Sequence, residues 1–236
     1  LLYKGYTIQP YSPAAGTGLS SHELNMPGAY KEVKDTTVVA LFKVIKNDQS
    51  SFLFDDPNED ARIAAWTTTP WTLPSNILLC AGPDISYIKI KTSNPYTHTP
   101  VSVVLAEALV PNWFGGKNQS TVEGQSAAFK GSKMKGRRCE PLLDFGNEIE
   151  PLLGGTDAYL VLTGDHVTTS DGTGIVHTAP SFGADDQRVA KANGVGTLTL
   201  VDQTGKFKEN VGPYSGRYVK DYKDEPGYVA VDIDIA

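Results

Sequence analysis

Two short segments hold most of the side chains that could do chemistry. The first, Trp66 to Asn76, reads W-T-T-T-P-W-T-L-P-S-N, with four threonines, two tryptophans and two prolines in eleven residues. Each threonine hydroxyl can donate and accept a hydrogen bond. Pro70 and Pro74 fix the local backbone and remove donors, so the stretch is neither a regular helix nor a central strand. One reading is a rigid polar wall with hydroxyls aimed at a ligand. The other is a strand that leaves its sheet through a proline turn, with Trp66 and Trp71 as core. The second segment, Gly172 to Ala190, reads G-T-G-I-V-H-T-A-P-S-F-G-A-D-D-Q-R-V-A. His177 falls at a strand end, and Asp185 and Asp186 fall at a helix start. One aspartate suffices as an N-cap; a second beside it is free to meet a cation. His177 taken alone fits a hydrogen-bonded packing residue as well as a ligand group.

Other chemistries find little support. The Walker loop, the dinucleotide glycine fingerprint, G-x-S-x-G and H-E-x-x-H are all absent. The four histidines (His22, His98, His166 and His177) show no metal-ligand spacing, so no metal and no cofactor are expected. His166 follows Asp165 in a turn-like segment and reads as exposed. Cys80 and Cys139 form no Cys-x-x-Cys pair and read as free thiols in a reducing compartment. Gly172-Thr173-Gly174 reads as a hairpin turn, not a phosphate cradle. Gly131 to Arg138 is a basic run, either a solvated loop or a contact to an RNA backbone.

Positioning these residues requires a framework, and the strand signals are short and frequent. They cover Thr36–Ile45, Ser51–Phe54, Ala61–Thr67, Ile77–Ala81, Tyr87–Lys91, Val101–Leu105, Arg138–Leu142, Tyr159–Thr163, Gly174–Thr178 and Leu198–Val201. Helical signals are few: Leu105–Phe114, Asp185–Asn193 and one turn over Gln125–Lys130. The expectation is a mostly β, α+β fold with a few short helices, its antiparallel strands forming a closed or partly closed, β-barrel-like body. The 23 glycines and 15 prolines suit many turns. A chain of 236 residues that is 40% hydrophobic can bury a sizeable core. A net charge of −6 argues against gripping nucleic acid through bulk positive charge. No run of about 18 apolar residues exists to span a membrane, and no signal-peptide core opens the chain. The first residue is Leu1, as an excised segment would have. Residues 1–236 read as one inserted domain, with connecting β-ribbon arms near 1–30 and 205–236 and a barrel core over 31–204.

Both segments, in this order and about a hundred residues apart, resemble the editing domain inserted in isoleucyl-tRNA synthetases of the class I family. Thr68-Thr69-Pro70-Trp71-Thr72 follows the isoleucine pattern, where the leucine and valine members carry T-T-R-P-[DE]-T. His177, Ala179-Pro180, Gly183 and Asp185-Asp186 again look like the isoleucine form. Pro10-Tyr11-Ser12 with Leu19-Ser20-Ser21-His22-Glu23 resembles the stretch leaving the catalytic body, and Val229–Ile235 the return stretch. The class I ATP signatures H-I-G-H and K-M-S-K-S are missing.

The resemblance implies proofreading. One methylene is worth only about 1–3 kcal/mol of discrimination, a general figure for which the isoleucine–valine pair is itself the usual illustration. A second site must therefore hydrolyse Val-tRNA(Ile), and valyl-adenylate as well, while rejecting Ile-tRNA(Ile). By motif match, Asp186 binds the substrate α-ammonium, and Thr68, Thr69 and Thr72 hold water and contact the amino acid. These four are the implied catalytic residues. Trp66, Trp71, Asn76 and His177 are implied substrate contacts, with His177 crowding the longer side chain. Asp185 joins them because the choice between it and Asp186 rests on register alone. The implied partners are the 3′ CCA end of tRNA(Ile) and the rest of the synthetase chain, with a monomeric segment in the cytoplasm. Two other readings stay open: a non-catalytic module binding the tRNA 3′ end, and a structural β insertion.

Overall fold

The computed structural model describes residues 2, 8–13, 15–30, 32, 36–116, 120–150, 155–220 and 235. Most of the return stretch, 229–234, lies outside them. A short ribbon comes first, β1 (Tyr11–Ser12) against β2 (Thr17–Gly18). Helix α1 (Ser21–Leu24) follows, with Ser20 and Glu23 forming a reciprocal capping box.

Nine strands then form one sheet: β3 (Val38–Lys43), β4 (Ala61–Thr67), β5 (Leu78–Ala81), β6 (Ser86–Ser93), β7 (Pro100–Ala106), β8 (Gly124–Gln125), β9 (Phe129–Lys130), β10 (Leu160–Thr163) and β11 (Ile175–Thr178). Helix α2 (Val110–Trp113) follows β7, and α3 (Ala184–Ala192) follows β11. The mostly β reading with few short helices therefore holds. Among the described residues the strands pair in the order β10-β5-β11-β4-β7-β6-β8, with β3 also on β4 and β9 also on β6; the sheet is not closed as a barrel by these ladders, but single bridges, Arg138 to Leu160 and Cys139 to Val44, link β10 back toward β3. Nor is the sheet purely antiparallel, since β10–β5, β11–β4 and β4–β7 run parallel.

Period-two alternation explains why this sheet has two buried faces. On β5, Leu78 and Cys80 enter a cluster with Leu160, Leu162, Val189, Ala190 and Phe207. The intervening Leu79 and Ala81 enter another, with Phe42, Ile63, Tyr87, Val104, Met134 and Val161. Residues read as part of a connecting arm contribute here too: Phe207, Val211 and Val219 are fully buried in the first cluster. Both cysteines are free and buried, and burial pushes each thiol up to about 12.

Several local expectations change. Ser51–Leu53 is a 3-10 turn, not a strand. It is held by the buried Lys89, whose Nζ donates to Leu53 O at 3.1 Å and pairs with Glu59 at 2.8 Å. Gln125 and Phe129–Lys130 join the sheet edge on β6 and make no helical turn. Glycines 172 and 174 do turn the chain, at φ +69° and +73°. They do not close a hairpin, because β5 lies between β10 and β11.

Topology then sets the site. Strand β11 lies between β5 and β4, with Val176 opposite Trp66 in parallel register. Both β4 and β11 therefore end at the same edge of the sheet. The threonine segment leaves β4 there, and the loop into α3 leaves β11 there.

Candidate active site

After Thr67 the chain tightens into a 3-10 turn, Pro70–Ser75, with Pro70 at its start and Thr69 as its N-cap. Pro suits that first position because its missing N–H has no partner to lose. The turn stacks hydroxyls. Thr69 N donates to Thr67 Oγ1 at 3.1 Å, Thr72 Oγ1 donates to Thr69 O at 2.8 Å, and Thr69 Oγ1 lies 3.3 Å from Thr67 Oγ1 and 3.4 Å from Thr72 Oγ1.

From the neighbouring strand, His177 reaches into this stack. Its Nε2 lies 2.7 Å from Thr72 Oγ1 and its Nδ1 lies 2.9 Å from Asn76 Nδ2. Asn76 Nδ2 also donates to Leu78 O at 2.8 Å and approaches Thr178 O at 3.4 Å, the longest of three contacts shared by two amide hydrogens; both carbonyls can only accept. The amide nitrogen therefore donates to Nδ1, and the ring proton of neutral His177 sits on Nε2. That N–H donates to Thr72 Oγ1, whose own hydroxyl donates to Thr69 O. One directional chain, Asn76 → His177 → Thr72 → Thr69, fixes the tautomer. Burial drives the imidazole down to about 4 from an ordinary 6.5, so at neutral pH it is uncharged with both nitrogens engaged. His177 is thus a shaped, immobile wall and not a proton shuttle.

Opposite stands the start of α3. Asp186 Oδ2 accepts from Ala179 N at 2.8 Å, and Oδ1 has no hydrogen-bond partner among the described residues. Burial raises the Asp186 carboxyl above the usual aspartate value, partly countered by that amide and by His166. A cation entering beside it recovers the charge's lost solvation. Asp185 points away: it is exposed and paired with Arg188 at 2.9 Å, which holds its carboxyl low. Geometry thus separates the two acids that register alone could not.

Between these walls lies one open hollow of about 350 Å³, lined by Trp66, Thr67, Thr68, Thr69, Thr72, Val176, His177, Ala179, Phe182, Gly183 and Asp186. Six residues expected from sequence meet there: Trp66, Thr68, Thr69, Thr72, His177 and Asp186. Three do not line it. Trp71 turns onto the buried cluster around Ile77 and Leu78 and meets Phe182 edge-on, with ring centroids 5.1 Å apart. Asn76 stands behind His177, and Asp185 faces solvent. His166, read as exposed, has both ring nitrogens buried and unpartnered among the described residues. Sequence reasoning did not single out Thr67, Val176 or Phe182, and it marked Ala179 and Gly183 as motif residues without giving them a place in the site. For Thr67 and Val176 the signal existed, since each adjoins an expected site residue on a strand end. Among the described residues no group of three His, Cys, Asp or Glu side chains could hold a metal ion, and no helix is long and apolar enough to cross a membrane.

No family model matches this sequence. Individual proteins do. The isoleucine–tRNA ligase of Porphyromonas gingivalis is 47% identical over 248 residues, covering all of this chain and 21% of that protein. That of Bacteroides fragilis is 48% identical over 237 residues, covering 95% and 20%. The Clostridium tetani enzyme is 40% identical over 234 residues, covering 96% and 20%. The chain matches one segment of isoleucine–tRNA ligases over essentially its whole length. It spans about a fifth of the length of these ligases. Among solved structures, the editing domain of the P. knowlesi cytosolic leucyl-tRNA synthetase is similar over 68% of this chain and 65% of its own, at 14% identity and TM-score 0.47. The structure described as GlLeuRS-CP1 is similar over 66% and 59%, at 16% identity and TM-score 0.47.

Proposed function

We propose that this segment of an isoleucine–tRNA ligase hydrolyses the ester of valine misattached to isoleucine tRNA, and valyl-adenylate too, while sparing the isoleucyl ester. The observation that carries the reading is the single hollow shared by the threonine turn, His177 and Asp186.

The substrate α-ammonium pairs with Asp186, whose Oδ1 has no hydrogen-bond partner among the described residues and whose ionised form gains from a cation. That contact fixes the amino acid's orientation. The ester carbonyl then lies along the threonine ledge, where hydroxyls orient a water and donate to the developing oxyanion. Water oxygen bonds to the carbonyl carbon and the bond to the ribose oxygen breaks. Water's proton is passed on to the ribose oxygen, and free valine and tRNA leave. The vicinal ribose hydroxyl serves as the proton relay, because His177 already has both nitrogens committed. His177 sets the sieve as a wall held from behind by Asn76, so the extra methylene of isoleucine meets an element that cannot yield. A hollow of about 350 Å³ lies near the lower end of small-molecule sites, which leaves the terminal adenosine at its open mouth. There the half-buried Trp66 offers an aromatic face to a base.

The remaining ligase and the CCA end of tRNA(Ile) are the partners, and the cytoplasm, where tRNA is charged, is the compartment. The test is deacylation of Val-tRNA(Ile) and Ile-tRNA(Ile) by full-length ligase, wild type and Asp186→Ala. The account expects Val-tRNA to persist with the variant. Clearance at the wild-type rate removes Asp186 from the reaction. Tight binding of the tRNA end with no turnover by the wild type would establish the binding-module reading.

A further inference from the structure

We propose that Gly183 is a positioning residue for this reaction: the side chain it lacks is the space into which Asp186 folds back to face the hollow. The inference rests on the role given to Asp186 above.

Gly183 is the N-cap of α3, with φ −131° and ψ 135°. That is ordinary extended backbone, open to any residue, so conformation does not explain a glycine here. Capping does not explain it either. Ser, Thr, Asp and Asn cap better through a side-chain oxygen, and this helix has no side-chain cap. Space does explain it. A Cβ built on Gly183 would lie 2.8 Å from Asp186 Cγ, 2.9 Å from Oδ2 and 3.2 Å from Asp186 Cβ, and these are its three nearest neighbours. Every one belongs to Asp186. The side chain is short, so the carboxylate can escape only by rotating, and rotation gives up the 2.8 Å bond from Ala179 N. That amide follows β11 directly, so the bond ties the acid to the strand carrying His177. Any side chain at position 183 therefore displaces the acid, and because Gly183 also lines the hollow, exchange at Ala179 separates that displacement from direct crowding of the substrate.

The experiment uses full-length ligase with Gly183→Ser, Gly183→Ala, Asp186→Asn and the double variant Gly183→Ala/Asp186→Asn. Val-tRNA(Ile) deacylation, Tm and hydrogen exchange of peptides covering Ala179 are measured. Serine at 183 is expected to keep or raise Tm, as a better cap, while kcat/KM for deacylation falls about tenfold or more, the scale of one charge-assisted contact. Faster exchange at Ala179 is expected in both Gly183 variants. In the Asp186→Asn background, Gly183→Ala is expected to add no further loss, because it acts through a carboxylate already gone. Wild-type deacylation with full Ala179 protection in Gly183→Ala would overturn the inference, as would losses that multiply in the double variant. Should Asp186→Asn itself turn over normally, the proposed function fails, and the Ala179 exchange still decides whether Gly183 places the acid.

Discussion

Acid is the sharpest probe of the His177 wall. The folded protein holds this imidazole neutral down to about pH 4, whereas an unfolded chain protonates it near 6.5. Between those values the unfolded state binds the additional proton, so stability falls as pH falls through this window. The contribution is complete above about 6.5 and gone below about 4. Each pH unit of the interval is worth about 1.4 kcal/mol, so the whole comes to roughly 3 kcal/mol. Thr72 and Asn76, the groups against the ring, are both uncharged, and burial is the sole cause of the depression. Two assays read it. Selective carbon-13 labelling of histidine follows the ring directly and is expected to show Nε2–H tautomer shifts unchanged to below pH 5. Urea unfolding of wild type and His177→Gln between pH 7.5 and 4.5 is expected to give a steeper loss in the wild type. A midpoint near 6.5, an Nδ1–H tautomer or equal pH slopes would refute the hydrogen-bond chain and the wall built on it.

Two further outcomes follow from the same geometry. Replacing His177 by Ala removes the wall, so hydrolysis of Ile-tRNA(Ile) is expected to appear; unchanged selectivity in a deacylation assay would place the sieve elsewhere. Because burial raises the Asp186 carboxyl, its ionised form is lost on acidification earlier than for an ordinary aspartate. Val-tRNA deacylation is thus expected to decline with an acid limb above the ordinary aspartate value, and a limb at or below that value would contradict the role of Asp186.

Local chemistry made much of this molecule readable. Strand β4 occupies the expected Ala61–Thr67, where β-branched and aromatic residues run up to a proline pair. Helix α3 falls within a residue of the expected Asp185–Asn193, since acids at its start and Asn-Gly at its end are local signals. What stayed hidden is non-local. No periodicity tells that β11 enters between β4 and β5, or that β4 runs parallel to both β7 and β11. Closure also depends on strands far apart: the bridges from Leu160 of β10 to Arg138 and from Cys139 to Val44, past the end of β3, join segments that no local pattern connects. In the site, Trp71 carries two sequence readings, a core residue beside the proline turn or, by motif match, a substrate contact. The 3-10 turn rotates it onto the core, where its ring meets Phe182. Asn76 reads as a pocket residue and is instead the anchor of His177, a distinction that only the two carbonyls accepting from its amide reveal. Gly183 sits within the motif, but the reason for it is a contact with a side chain three residues on.

A structure of the ligase with a non-hydrolysable valyl-adenosine analogue tests the central claim most directly. The account predicts the analogue's ammonium within hydrogen-bond distance of Asp186, its carbonyl along the Thr67–Thr72 ledge and its side chain against His177. An analogue seated outside this hollow, or one whose ammonium faces away from Asp186, would contradict it.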